Sequence, residues 1–278
     1  MNDDNGMQRL KLVWGAQTHP GMRRPDNQDS LLAANPVFLV ADGMGGHHDG
    51  EVASRLALEP FQKFVGRSSA TMEETVDAIE QAAKLVAAIP GEGAMAGTTI
   101  TGVLRSTVAD SEYWLVVNIG DSRTYRLTLD GLEQVSVDHS SVQELLDAGQ
   151  IDAAEAAVHP ERNVITKAIG AGSSARPDYW LLPATAGERM LVCSDGLTRE
   201  LEAAEIEQVL RDTPHPHEAA SELVSRALRR GARDNVSVIV VDALLPEHPN
   251  RGPALAGFEN EDTVPSLLAR HTASHGEE

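Results

Sequence analysis

The chain has 278 residues, of which 41% are hydrophobic, enough to bury a sizeable core in one large domain or two smaller ones. The formal charge of -19 at pH 7 argues against a nucleic-acid partner, because such proteins bring Lys and Arg to the phosphates. This charge also repels acidic substrates at long range, so a phosphorylated substrate would need local cations where it binds. The single cysteine, Cys193, excludes an internal disulfide and a cysteine-rich metal site.

The apolar runs and the first residues indicate the compartment of the protein. No apolar run reaches the length needed to span a bilayer. Residues 1–5 are acidic and polar, whereas a signal peptide starts with basic residues and continues with an apolar stretch. The sequence therefore predicts a cytoplasmic protein without membrane insertion, and we expect a monomer.

The first half of the chain is predicted to contain strands followed by two helices. A loosely alternating run at residues 10–17 and an apolar run at 37–41 predict strands, and another strand begins near Ser30. Apolar residues recur at helical spacing over residues 50–65 and 71–89, which predicts two amphipathic helices. The second helix starts with a capping box, and Pro90 ends it.

The second half begins with strands and ends with helices and a last strand. Strands at 98–105, 113–119, 122–128 and 132–135 are separated by hairpin-length turns, which favours antiparallel pairing. The remaining predicted elements are helices at 140–148, 152–158, 202–210 and 216–230 and strands at 190–193 and 236–241. Helix pairs that lie early and late around antiparallel strands indicate an α+β layered fold.

The composition changes after residue 245. Prolines, scattered charges and a polar end predict a mobile C-terminal tail over residues 245–278. One domain followed by this tail fits the pattern of predicted elements.

Aspartates recur at the ends of the predicted apolar strands, and they are Asp42, Asp121, Asp138, Asp195 and Asp234. Each of them alone is typical of a turn, since Asp-Gly and similar pairs are common there. If several converge, their repulsion must be relieved by cations or by raised pKa values. Carboxylate and carbonyl oxygens are also the ligands that Mg²⁺ and Mn²⁺ prefer. The residues alone leave both interpretations open.

Six short motifs together resemble a known family. They are RPDNQD at 24–29, VADGMGGH at 40–47, GDSR at 120–123, DHS at 138–140, SDG at 194–196 and RDN at 233–235. Their order and spacing are similar to those of the metal-dependent protein phosphatases, and most of all to the bacterial branch of the type 2C (PPM) serine/threonine phosphatases. The resemblance implies a phosphatase domain at 8–244, with a variable flap at about 139–172. It also implies a central β-sandwich of two antiparallel sheets flanked by pairs of α-helices.

The resemblance also assigns metal ligands. It implies that Asp42 bridges two Mn²⁺ or Mg²⁺ ions and that the carbonyl of Gly43 binds one of them. It implies that Asp195 and Asp234 hold the other ion. Asp138 matches the ligand of a third, weaker metal of bacterial members.

Further roles follow from the same resemblance. Arg24 matches the arginine that grips the substrate phosphate, a task for which a guanidinium fork is well suited. Asp29 matches the acidic position that supports the metal waters, and Asp121 is interpreted as structural or outer-shell. The general acid stays open between His47 and a metal-bound water, because Met44 stands where eukaryotic relatives have a histidine.

The function implied by the resemblance is hydrolysis of phosphoserine and phosphothreonine in proteins by a metal-activated water at a binuclear centre. Such an enzyme reverses Ser/Thr kinase signalling, so its expected partners are a kinase and phosphorylated proteins. Two alternatives stay open: a pseudophosphatase that binds phosphoproteins without hydrolysis, and a hydrolase of small phosphoesters. The presence of Asp42, Asp195, Asp234 and Arg24 argues against the pseudophosphatase.

Overall fold

The computed structural model describes residues 9–45, 48–90, 96–170 and 176–245 of the chain. Its first elements are β1 (Lys11–His19), β2 (Asp29–Ala34), β3 (Val37–Met44), α1 (Asp49–Leu58), a 3-10 helix (Glu59–Phe64) and α2 (Met72–Ala87). The middle of the chain contains β4 (Gly97–Thr98), β5 (Ile100–Val108), β6 (Ser111–Ile119), β7 (Arg123–Leu127), β8 (Leu132–Gln134), α3 (Ser141–Asp147) and α4 (Ala153–Val158). The last elements are β9 (Ile169–Gly170), β10 (Asp178–Pro183), β11 (Arg189–Cys193), α5 (Asp195–Thr198), α6 (Ala203–Asp212), α7 (Pro216–Arg229) and β12 (Val236–Leu244).

The strands of the described residues form two sheets in which the paired strands run antiparallel. One sheet has the order β1-β12-β11-β7-β8, and the other has the order β10-β6-β5-β3-β4-β9 with β2 also paired to β3. An apolar layer lies between the sheets, and α1 with α2 and α6 with α7 cover their outer faces. The predicted α+β sandwich with flanking helices is confirmed.

Strand β3 is buried on both faces, which explains its unbroken apolar run. Phe38 and Val40 belong to the layer between the sheets, whereas Leu39 and Ala41 pack on the side of α1 and α2. This alternation is the period of a β-strand. The strand therefore carries the following residue, Asp42, from the core to one end of the sandwich.

The short elements β9 and α5 were not predicted, and two longer elements also differ from the sequence prediction. The predicted helix at 50–65 is split, because α1 ends at Leu58 and a 3-10 helix with Pro60 in its first turn follows. Proline lacks the amide hydrogen that would continue the α-helix. Strand β10 is absent from the prediction, and it is only partly buried where it pairs with β6 at the edge of its sheet.

The start of α2 follows the prediction. The Thr71 hydroxyl accepts a hydrogen bond from the Glu74 amide at 3.2 Å, and the Glu74 carboxylate accepts one from the Thr71 amide at 3.0 Å. This reciprocal pair satisfies two amides that the helix itself leaves without acceptors. In the described part of the chain no helix has the length and apolar character that crossing a membrane requires.

Candidate metal centre

Five aspartates meet at one end of the sandwich. Asp29 at the start of β2 pairs directly with Asp42 near the end of β3. Asp195 follows β11 and Asp234 precedes β12. Because β11 and β12 are antiparallel neighbours, the two residues lie at the same end of their sheet. The charges of Asp29, Asp195, Asp121 and Asp234 all raise the pKa of Asp42. The chain therefore brings together carboxylates that are up to about two hundred positions apart in sequence.

The two sheets are joined directly beneath these carboxylates. The Ser194 hydroxyl donates to Asp29 Oδ2 at 2.8 Å and accepts from the Ser237 amide at 3.0 Å. Ser194 immediately precedes Asp195, and Asp29 lies opposite Asp42. This buried hydroxyl thus fixes the end of one sheet against the end of the other.

Burial and clustering raise the pKa values of four of these aspartates. Burial raises the pKa of Asp42 well above its usual value, and the nearby charges of Asp29 and Asp195 raise it further. Burial is also the main cause that raises the pKa of Asp195 well above its usual value, with the charge of Asp121 next. The pKa values of Asp29 and Asp121 rise to about 6, again mainly through burial. The protein without a bound cation therefore disfavours the ionised form of these carboxyl groups.

Three of the aspartates also have an oxygen that nothing in the described part of the chain satisfies. Asp29 Oδ1, Asp121 Oδ1 and Asp195 Oδ1 are buried and have no hydrogen-bond partner there. A buried anionic oxygen without a donor costs free energy, and a hard divalent cation is the group that binds such oxygens best. The donor set therefore fits a Mg²⁺ or Mn²⁺ centre.

Two arginines occupy part of this donor set. Arg24 donates in a fork to Asp234, with Nε–Oδ1 and Nη2–Oδ2 distances of 2.9 Å. Arg199 contacts Asp195 Oδ2 through Nη2 and donates to Asp234 Oδ2 through Nη1 at 3.1 Å. Among the described residues no group of three or more His, Cys, Asp or Glu side chains has the arrangement of a formed metal site. The two guanidiniums hold the carboxylates of Asp195 and Asp234.

The loop that carries Arg24 is fastened by Asn235. The Asn235 side chain donates to the carbonyls of Pro20 and Asp26 at 3.0 and 2.9 Å and accepts from the Gln28 amide at 2.8 Å. These contacts hold the irregular segment against the start of β12. Sequence reasoning found the RDN motif but not this role of its asparagine.

The end of β3 is fixed through its backbone. Thr98 Oγ1 and the Thr99 amide both donate to the Asp42 carbonyl at 2.9 Å, and the Asp42 amide donates to Thr99 Oγ1 at 3.0 Å. Gly43 is enclosed, because a Cβ there would lie 2.1 Å from the carbonyl oxygen of Gly50. The amide of Gly43 donates to the Gln28 carbonyl, on the side of β2. Since the amide and carbonyl of a strand residue point to the same edge, the Gly43 carbonyl also points toward β2.

Asp138, which the resemblance assigned to a third metal, has other partners. Arg123 donates to both of its oxygens at 2.7 to 3.0 Å, and Gln134 donates to Oδ1 at 3.0 Å. Its charge is near enough to raise the pKa of Asp121, but its oxygens are satisfied. The buried Asp121, with a free oxygen, is the residue that joins the cluster. Asp121 therefore lies with the carboxylates around Asp42, whereas Asp138 pairs with Arg123, and the assignment of Asp138 to a third metal stays a prediction.

The candidate acid His47 lies outside the described residues, so its role stays a prediction. The next residue, His48, is exposed and lies 3.6 Å from Glu51. Arg199 was not predicted at all, although its position four residues after Asp195 is the spacing of an ion pair on one helix turn.

Comparisons with known proteins give the context of this site. The family model described as protein phosphatase 2C matches residues 19–231. The chain is 35% identical over 278 residues to the serine/threonine protein phosphatase PstP of Mycobacterium tuberculosis, covering 95% of this chain and 52% of PstP. It therefore spans about half the length of that relative. It is also 32% identical to the serine/threonine phosphatase Stp of Listeria innocua, covering 74% of this chain and 84% of Stp.

Solved structures have the same fold. The Mycobacterium tuberculosis serine/threonine phosphatase PstP/Ppp aligns with a TM-score of 0.78 at 34% identity, covering 84% of this chain and 99% of that one. The PstP catalytic domain in complex with two manganese ions aligns with a TM-score of 0.76 at 33% identity, with the same coverage. Because the family model matches most of this chain and these structures share its fold, the chain belongs to the protein phosphatase 2C family.

Proposed function

We propose that the chain is a metal-dependent protein phosphatase that hydrolyses phosphoserine and phosphothreonine in proteins. The observation that carries the proposal is the cluster of buried aspartates with unsatisfied oxygens at one end of a protein phosphatase 2C fold. The named relatives are serine/threonine phosphatases, and one related catalytic domain holds two manganese ions. These facts support a binuclear centre in this chain.

We propose that Asp42, Asp195 and Asp234 hold two Mn²⁺ or Mg²⁺ ions, with a further oxygen from the Gly43 carbonyl. When bound, such ions act as Lewis acids and lower the pKa of a water molecule. We also propose Asp121 instead of Asp138 as the carboxylate for any third ion, because only Asp121 has a free buried oxygen.

Asp29 is proposed to position the water that attacks phosphorus. Its Oδ2 is held by the Ser194 hydroxyl, and its buried Oδ1 is free to accept a hydrogen bond from water. The proton of the attacking water would move to Oδ1.

Arg24 is proposed to bind the substrate phosphate. Asp234 holds the Nε and Nη2 side of its guanidinium, which leaves Nη1 without an acceptor among the described residues. More than half of the side chain surface, 56%, is exposed. The exposed guanidinium can thus donate to a phosphate oxygen.

We also propose the domain bounds, the partners and the general acid that the sequence predicts. The phosphatase domain would span 8–244, with a flap at 139–172 that contains α3 and α4 in its described part. The predicted tail lies, apart from Leu245, outside the described residues. Phosphorylated proteins and an opposing Ser/Thr kinase are the proposed partners, and the monomeric state and cytoplasmic location stay predictions. His47 is the proposed acid for the leaving serine or threonine oxygen.

The metal requirement can be tested on a phosphothreonine peptide and an aryl phosphate. We expect turnover with Mn²⁺ or Mg²⁺, its loss with chelator, and a decrease of about a hundredfold or more in kcat/KM for Asp195→Asn, because metal contributions are worth several kcal/mol. The exposed Asp77→Asn, on α2, is the control with the same change of charge.

Other outcomes of this assay decide between the alternatives. Full activity in chelator or in Asp195→Asn would contradict the mechanism. Phosphopeptide binding without turnover would identify a pseudophosphatase. Turnover of the aryl phosphate alone would identify a hydrolase of small phosphoesters.

Arg24 is tested by its effect on substrate binding. Arg24→Ala should raise KM for the phosphopeptide about tenfold or more, because a charge-assisted contact to phosphate is lost. The neighbouring Arg23 is exposed, and Arg23→Ala is the matched control that should leave KM within about twofold. An unchanged KM in Arg24→Ala would remove the assignment.

The stability of the metal-free protein should depend on pH in an unusual direction. The folded-state pKa values of Asp29 and Asp121 are about 6, above the ordinary value of 3.8, so the folded state binds more protons than the unfolded state between these values. The free energy of unfolding should therefore rise as the pH falls from 7 to 5. With saturating Mn²⁺ it should fall instead, because protons then compete with the metal.

Urea unfolding at each pH, with and without Mn²⁺, measures both trends. Asp121→Asn should flatten the metal-free trend. A metal-free protein that loses stability between pH 7 and pH 5 would contradict this account of the cluster.

A further inference from the structure

Arg199 is built into the acidic cluster by the short helix α5. Its amide donates to the Asp195 carbonyl at 2.8 Å, which closes one helical turn. The side chain then folds back along the same turn, and its Nη2 contacts Asp195 Oδ2. Its Nη1 reaches Asp234 Oδ2 at 3.1 Å, on the segment before β12. One guanidinium therefore bridges two carboxylates that are proposed metal ligands.

The same oxygens cannot serve the arginine and a metal equally well. Asp234 Oδ2 receives donors from both Arg24 and Arg199, and Asp234 Oδ1 receives Arg24 and the Asn235 amide. Asp195 Oδ2 contacts Arg199, while Asp195 Oδ1 is buried without a partner. A divalent cation between these carboxylates would meet the positive guanidinium directly.

Arg199 also compensates charge in this cluster. Its charge lowers the pKa values of Asp195 and Asp121, against the effect of burial on both. Its side chain is 37% exposed, so it has open space on one side and can leave the carboxylates without unfolding α5. The Arg199 guanidinium is thus a cation that is covalently part of the chain and that can be displaced from the carboxylates of Asp195 and Asp234.

Resting on the proposed metal centre, we infer that Arg199 is a tethered competitor of the divalent cation bound by Asp195 and Asp234. In the metal-free chain its guanidinium occupies their oxygens and stabilises the fold. Metal binding at this position requires the side chain to swing out toward solvent. Arg199 therefore weakens one of the two metal sites, so that this site fills only at a higher metal concentration than it would without the arginine.

The test is calorimetric titration of the chelator-treated chain with Mn²⁺, together with thermal unfolding. Arg199→Gln should bind Mn²⁺ about tenfold more tightly at one site, because a charge-assisted contact no longer competes. Without metal, the same variant should unfold about 2 to 4 °C below the unchanged chain, because charge compensation is lost. With saturating Mn²⁺ the order should disappear or reverse.

Arg211→Gln is the matched control. Arg211 pairs with Glu207 at the same i,i+4 spacing, with a similar exposure of 39%, but away from the aspartates. Its substitution removes the same charge and should leave Mn²⁺ affinity unchanged. Arg199→Lys, which keeps a cation on a flexible chain, should lie between Arg199→Gln and the unchanged chain, and it serves if Arg199→Gln does not fold.

The outcomes separate this inference from the proposed function. If the unchanged chain binds no Mn²⁺, the proposed metal centre itself is wrong. If it binds Mn²⁺ and Arg199→Gln binds equally or more weakly, the metal centre stands and the competitor role is overturned.

Discussion

The mutual repulsion of buried carboxylates is the constraint on which the rest of this structure depends. Asp42 is surrounded by four other aspartates, and burial together with their charges raises its pKa. Two guanidiniums, of Arg24 and Arg199, offset only part of this negative charge. Divalent cations at the proposed metal centre would offset this cost. Bound cations would also make the site locally attractive to phosphate in a chain whose net charge is -19.

Strand pairing and hydrogen bonds position the carboxylates at one end of the sandwich. Antiparallel pairing places the ends of β3 and β11 and the starts of β2 and β12 at one end of the molecule. The Ser194 hydroxyl links Asp29 to the opposite sheet, and the side chains of Thr98 and Thr99 fix the Asp42 backbone. Relief of the repulsion would then come from protons, from the two arginines or from the proposed metal ions. We expect these groups to replace one another, so that stability depends on both pH and metal content.

Much of the fold follows from the sequence because its strands are long and apolar. The run from Phe38 to Ala41 is unbroken since both faces of β3 are buried, and its end therefore places Asp42. The sequence prediction places Pro60 inside one helix, because the apolar spacing continues through it. The edge strand β10 escaped prediction because its partly exposed residues give no strong pattern.

The site was less predictable than the fold, because residue type does not show which side chains satisfy one another. Asp121 follows a glycine and Asp138 follows a valine, and both lie near strand ends. Only the structure shows that Arg123 forms an ion pair with Asp138. Arg199 gave no signal beyond its spacing from Asp195.

Anomalous X-ray diffraction from crystals soaked in Mn²⁺ tests the central claim most directly, because it locates manganese without reference to activity. The account predicts two strong peaks within coordination distance of the Asp42 carboxylate, one of them also beside Asp195 and Asp234. Crystals that bind manganese only at surface carboxylates, with no peak at Asp42, would contradict it.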